Sequence, residues 1–193
     1  MKRELKRGLL ILATLAFAAV LLSLTAFAEE TLTGTVGNAT WTLTQNADET
    51  TYTLDITGSG TLWKINDIAS YKNRITYVRI GGEINGIGWG VFQSYSVLTT
   101  VELSENVKTI DGVAFEYATA LKTIFVTGRT IKTGTLDLSY VESLGSWVFD
   151  GCKAVQNVIL NTTASYDIPF EFLKNNDVIK FLYIPANVGA VKA

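Results

Sequence analysis

The sequence predicts a β-rich solenoid of short stacked strands, with a β-hairpin as the N-terminal cap. Three observations carry this. First, the segments 84–103, 107–126, 141–160 and 165–184 repeat one pattern in register. Ile87, Ile110, Leu144 and Ile168 share a column, as do Phe92, Phe115, Phe149 and Leu173, and then Leu98, Leu121, Val155 and Ile179. Second, each unit closes on an alternating apolar pair: Val101/Leu103, Ile124/Val126, Val158/Leu160, Leu182/Ile184. Third, Ala39–Thr44 and Thr51–Thr57 alternate polar and apolar residues around a polar turn, which reads as a hairpin. Self-similarity at this period marks coils that bury their hydrophobic faces only against one another.

The chain begins with a targeting segment. A basic stretch (MKRELKR) precedes an apolar run, GLLILATLAFAAVLLSLT, and Ala26-Phe27-Ala28 forms a small-x-small site ahead of Glu29-Glu30. This is the layout of a secretory signal peptide over residues 1–28, cleaved near Ala28. A transmembrane anchor is the competing reading, because the apolar run approaches the ~18 residues that cross a bilayer. The A-x-A site followed by acidic residues favours cleavage.

Residues 29–74 read as the cap and its connector. The hairpin places Trp41 and Leu43 on one face with Tyr52, Leu54 and Ile56, and Gly58-Ser59-Gly60 ends its second strand. An isolated hairpin is marginal in water, and a terminal coil leaves its core open unless covered. The two needs meet at the first repeat. Residues 61–74 connect cap to array through a short helical turn around Ile68–Tyr71, with Trp63 as a packing residue.

Residues 75–193 hold about four repeats and an incomplete fifth. In each, a strand such as Thr100–Leu103 turns Val101 and Leu103 inward and Thr100 and Glu102 outward. A turn comes next, then a Gly-x-x-Val/Ala-Phe block whose phenylalanine lies inside. The third unit carries an insertion, 127–139, expected as a loop on one face of the solenoid. The fifth unit stops before its Ala-Phe block, which leads to the expectation of a truncated array or of self-association through an uncapped C-terminal end.

This unit resembles the BspA-type leucine-rich repeat family of bacterial surface and secreted proteins. The matching residues are Val107, Ile110, Asp111, Ala114, Phe115 and Leu121 in the second unit. In the third they are Val141, Leu144, Gly145, Val148, Phe149, Cys152 and Val155. Ile184-Pro185-Ala186-Asn187-Val188 matches a further family motif, and Pro169–Leu173 departs from the Ala-Phe block. The resemblance implies a leucine-rich-repeat solenoid outside the cell, its short parallel strands stacked into one curved sheet, with adhesion or host-protein binding in some members and no shared catalytic residues.

Composition narrows the chemistry. The 193 residues include no histidine and one cysteine, which removes Ser-His-Asp and Cys-His sites, internal disulfides and multi-cysteine metal motifs. No cofactor is expected. Without residues 1–28 the chain keeps 12 basic and 17 acidic residues, a net charge of −5. Nucleic acid and anionic membrane both need a basic footprint, so neither is an expected partner of the mature form.

Among single candidates, Cys152 reads as a small buried hydrophobe. Glu116 and Asp150 are equivalent positions in successive units, within reach of a glycosidase spacing, although charges at such turns ordinarily form a solvated rim. Asn38 and Asn161 begin N-glycosylation sequons, a motif common by chance. Trp89 and Trp147 stand opposite the strands, either exposed or packed between coils.

The outward strand residues are the candidate ligand-binding face. One column is Tyr77, Thr100, Thr123, Asn157, Phe181, and the other is Arg79, Glu102, Phe125, Ile159, Tyr183. Strands ~4.8 Å apart would join Phe125, Ile159, Phe181 and Tyr183 into one apolar patch, unless the insertion covers it. The expected function is adhesion to an extracellular protein or glycan, without catalysis. The alternatives are a spacer or assembly module that binds nothing and, behind it, a carbohydrate-active enzyme.

Overall fold

The computed structural model describes residues 30–161, 163, 167–186 and 189. The segment read as a signal peptide, and Asn187 and Val188 of the family motif, lie outside them. The described strands belong to one compact unit that begins at Thr31.

The cap has three strands, β1 (Thr31–Val36), β2 (Ala39–Gln45) and β3 (Tyr52–Leu62). Trp41 faces Ile56 and Leu43 faces Leu54 across the antiparallel β2–β3 pair, and all four are buried. The turn between them is held by Asp48, whose carboxylate accepts from the Thr51 hydroxyl at 2.6 Å and from the Thr50 and Thr51 amides. Those bonds, the Thr51 hydroxyl foremost, hold its pKa down to about 2. β1 is an extra strand on the hairpin's outer edge, where the Trp41 ring packs against Gly34.

Gly58-Ser59-Gly60 does not end the second strand. β3 runs on to Leu62, and the glycines re-aim it. Gly58 has φ 140° and its missing Cβ would lie 2.3 Å from the Asn38 carbonyl oxygen, a conformation and an approach open only to glycine. β3 therefore starts two ladders. A 3-10 turn at Asn66–Tyr71, with Ile68 buried, then leads into β4 (Ile75–Ile80).

Ladder A comprises β3, β4, β6 (Thr100–Leu103), β8 (Thr123–Val126), β9 (Thr135–Leu138), β11 (Asn157–Leu160) and β12 (Phe181–Tyr183), all parallel. Ladder B pairs the end of β3 with β5 (Glu83–Ile87), β7 (Thr109–Ile110) and β10 (Ser143–Leu144). Joined through β3, they form one continuous sheet order.

The insertion is a strand as well as a loop. Residues 127–134 loop back and β9 enters ladder A between β8 and β11, while β7 and β10 remain direct neighbours in ladder B. Ladder A thus gains one strand, ~4.8 Å, with no counterpart in ladder B.

The phenylalanine column is the interior. Phe92 stacks on Phe115 at 5.3 Å and Phe115 on Phe149 at 5.5 Å, with interplanar angles of 17° and 11°. Around them the inward pairs Val78/Ile80, Val101/Leu103, Ile124/Val126, Leu136/Leu138 and Val158/Leu160 are buried. Leu173 holds the fourth position half-buried, with Phe172 buried beside it.

A third ladder is built from turns. The Phe92 amide donates to the Ala114 carbonyl, Phe115 to Val148, and Phe149 to Phe172, at 2.8–3.0 Å. It depends on two left-handed residues per coil. Gly90, Val113, Trp147 and Glu171 have φ 50–64°, and Ser94, Tyr117, Gly151 and Asn175 have φ 56–70°. Each non-glycine residue there costs ~1–2 kcal/mol. That cost is offset where the turn's buried amides find partners in the next coil.

Candidate functional site

The outward face of ladder A divides into three zones. At the N-terminal end, register sets Asp55, Arg79 and Glu102 side by side. Arg79 pairs with Asp55, and its Nε meets Glu102 Oε2 at 3.0 Å. The Tyr77 hydroxyl donates to the same oxygen at 2.7 Å, the Thr127 hydroxyl donates to Glu102 Oε1 at 2.9 Å, and the Arg79 guanidinium sits over the Tyr77 ring. Partial burial, which alone would raise Glu102, is outweighed by bonds from Tyr77, Thr127 and Arg79, so its carboxyl lies below the ordinary value. Tyr77, Arg79 and Glu102, the three residues predicted at this end, form one network. Asp55 and Thr127 are further members that strand alternation did not single out.

In the middle lies a depression of about 550 Å³, floored by Thr99, Thr100, Thr123 and Phe125 and walled by Arg129 and Ile131 of the insertion loop. Arg129 anchors this wall. Its guanidinium pairs with Asp137 at 3.0 Å, donates to the Ser139 hydroxyl at 2.6 Å and lies over the Tyr140 ring. The outward side chains Thr123, Thr135 and Asp137 are buried, Thr123 accepting from the Gly134 amide and Asp137 paired with Arg129 of the loop, and Phe125 is half-buried. The insertion thus covers the centre of the face and leaves both ends open.

At the C-terminal end, Asn157 pairs with Phe181 and Ile159 with Tyr183. Phe181 is 71% exposed and Tyr183 57%. The four-residue apolar patch is not continuous. Asp137 of β9 is the partner of Ile159 and, one residue beyond the Ile124–Leu136 pair, separates it from Phe125.

Other candidates resolve differently. Cys152 is fully buried and its thiol donates to the Phe115 carbonyl at 3.2 Å, with burial pushing its pKa far up; it behaves as a hydrophobe. Asp150 is buried and accepts from Asn175 at 2.7 Å, while Glu116 accepts from Gln93. Asn161 is buried. Trp63, expected to pack, is 54% exposed, and Trp89 and Trp147 are exposed at 61% and 39%. Among the described residues, no group of three or more His, Cys, Asp or Glu is placed to hold a metal ion.

The stacked parallel strands agree with the comparisons. The family model for the BspA type leucine rich repeat region matches residues 35–135 and 127–193, in six copies. The chain belongs to the BspA-type leucine-rich repeat family. The match starts inside the cap, and its six copies exceed the four-and-a-part units read from periodicity. Comparison with curated proteins gives no match. Among solved structures, a leucine rich cell surface protein from Faecalibacterium prausnitzii is similar, with TM-score 0.53 and 20% identity over 85% of this chain. That likeness is to the fold, and this chain spans 45% of that protein. A leucine rich repeat protein from T. pallidum shows 18% identity and TM-score 0.47, covering 77% of this chain and 82% of that one.

The network has a pH signature. Burial, then Glu102, raises Tyr77 to about 12, and burial raises Tyr95 of the core to about 12. A group raised in the fold contributes stability in full below its unfolded pKa and loses it as pH climbs through the folded value. Urea midpoints of this BspA-type repeat protein are therefore expected to hold up to about pH 10 and to fall between there and about 12. A Tyr77→Phe/Tyr95→Phe variant should show a shallower fall.

Proposed function

We propose that this chain is an extracellular repeat protein that binds another macromolecule through the outward face of ladder A. The observation that carries the reading is the N-terminal zone, where the Arg79 and Asp55 side chains are exposed and the less exposed Glu102 holds Arg79. Asp55, Arg79 and Glu102 stand on three successive rigid strands, beside a recess that holds Phe125. Stacked strands lose little conformational entropy on binding, and an aromatic recess flanked by fixed charges has the make-up of an interface centre and its rim. The alternating charges favour a protein partner over a neutral glycan on this face. Family membership and the cell-surface relative support display outside the cell, and the basic, apolar and A-x-A layout of residues 1–28 supports export.

The test is binding of the purified mature chain to a panel of immobilised extracellular matrix proteins and mucin glycans. Arg79→Ala and Phe125→Ser are expected to weaken binding about tenfold or more, a loss of ~1.4 kcal/mol or more, and Tyr183→Ser to have a smaller effect. Binding that survives all three unchanged contradicts the reading.

A second reading is favoured by one observation. Leu182 and Ile184 fall in the inward columns that are buried in every earlier coil, yet are 37% and 45% exposed. A spacer or assembly module that continues its stack through this end needs such a surface. On that reading the panel yields no binding, so the same experiment separates the two.

A further inference from the structure

We propose that the outer side of ladder B is a second, independent binding site: a groove that takes a neutral polysaccharide. It does not rest on the function assigned to ladder A, whose residues it does not share.

A depression of about 330 Å³ crosses three coils here, lined by Thr61, Trp63, Thr109, Asp111, Ser143 and the glycines between them. Register makes its floor a row of hydroxyls, because Thr61 pairs with Gly86, Gly86 with Thr109, and Thr109 with Ser143. Gly86 keeps the row open. A Cβ there would lie 2.5 Å from the Thr109 hydroxyl and 3.3 Å from that of Thr61.

The wall is an indole. A Cβ at Gly88 would lie 2.8 Å from the Trp63 ring, so the ring is seated on glycine backbone. The ring nevertheless remains 54% exposed, so much of its surface is free to meet a ligand. One coil on, outside the groove's lining, Trp89 is in ordinary contact distance of the Gly112 position, at 3.5 Å, and is 61% exposed. Two large apolar rings held in water are costly, at ~25 cal/mol per Å² of apolar surface left uncovered. Amphipathic rings with one wet edge are typical of binding surfaces.

The chemistry selects the ligand. A pyranose has an apolar C–H face, which packs on an indole, and a rim of hydroxyls, which exchange hydrogen bonds with threonine and serine. Asp111 adds one carboxylate, with Oδ1 already accepting from the Gly112 amide at 2.7 Å. Among the described residues no cation lines the groove, so a sulfated, phosphorylated or uronic polymer gains nothing and is repelled by Asp111. The groove runs across the strands over successive coils, which suits an extended chain of repeating units rather than a single small molecule.

The experiment is affinity electrophoresis of the mature chain in gels containing soluble xylan, mannan or mixed-linkage β-glucan, with hyaluronan as the charged comparison. Retardation by at least one neutral polymer is expected. Trp63→Ala should weaken it about tenfold, Thr109→Ala should weaken it with the indole still in place, and Phe125→Ser should leave it unchanged. The proposal is overturned by migration that no neutral polymer alters, by retardation by hyaluronan alone, or by Trp63→Ala and Thr109→Ala chains retarded as strongly as the parent. Loss of retardation in Phe125→Ser but not in Trp63→Ala would also overturn it, assigning the polymer to ladder A.

Discussion

Phe115→Ala is expected to destabilise the fold by about 3–5 kcal/mol, measured as a shift of the urea midpoint followed by tryptophan fluorescence. The ring is fully buried and stacks on a phenylalanine on either side, at 5.3 and 5.5 Å. Its removal leaves a void that rigid coils fill poorly. The backbone around it is tied in both directions, since its amide donates to Val148 and its carbonyl accepts from the Cys152 thiol. Each coil contacts only its neighbours, so a void in the central coil also weakens coupling between the two halves. A broadened or two-step transition is expected to accompany the shift. Phe125→Ser, on the outward face, should move the midpoint much less. Equal losses at the two positions would contradict the assignment of inside and outside.

Gly145→Ala is expected to cost about 3 kcal/mol, at the upper end for overpacking. A Cβ at Gly145 would lie 2.1 Å from the Gly112 nitrogen and 2.5 Å from the Asp111 carbonyl carbon. Both obstacles are backbone, so no rotamer change relieves them. Moving the coil away would stretch the bonds from the Gly145 amide to Ile110 and from the Val113 amide to Ser146, at 2.8 and 3.0 Å. Gly128→Ala is the comparison, because nothing lies within 4 Å of its position and only its φ of +80° is strained. A loss of ~1–2 kcal/mol is expected there. If Gly145→Ala proves the milder of the two, the close approach of the coils is not what fixes that glycine.

The inward half of this structure is legible in the sequence. The Ile, Phe and Leu columns are periodic because each coil must present the same face to the next, and the structure stacks them in the register that the repeats predict. The cap is legible for the same reason, since Trp41, Leu43, Leu54 and Ile56 alternate as a half-buried strand requires. Where sequence and structure part, periodicity carries no warning. Gly58-Ser59-Gly60 has the composition of a strand end, but the glycines serve to turn one strand between two ladders. The insertion breaks the repeat length and so reads as loop, although Thr135-Leu136-Asp137-Leu138 has the same alternation as Thr100-Val101-Glu102-Leu103. That echo is the signal for β9, and with it for Asp137, whose carboxylate divides the apolar patch.

The outward face is legible only in part. Strand alternation alone identifies Tyr77, Arg79 and Glu102 as neighbours, and they form one network. Asp55 is hidden because its strand reads as part of the cap, and Arg129 because its role depends on a loop returning across the sheet. The left-handed positions are also invisible, since Val113, Tyr117 and Trp147 are residues that local propensity keeps out of that conformation. They adopt it because the turn ladder satisfies buried amides that would otherwise lack partners.

If the open end of ladder A and the recess beside it form the contact surface, a bound partner must shield their backbone. Amide hydrogen exchange reads this on the mature chain, alone and saturated with whichever panel protein it binds. Slowed exchange is expected in β4, β6, β8 and the 128–134 loop, with the turn ladder from Gly90 to Lys174 unchanged. Protection confined to the turn ladder or to β1 and β2, with β4 to β8 exchanging as in the free chain, would place the contact elsewhere and contradict the assignment.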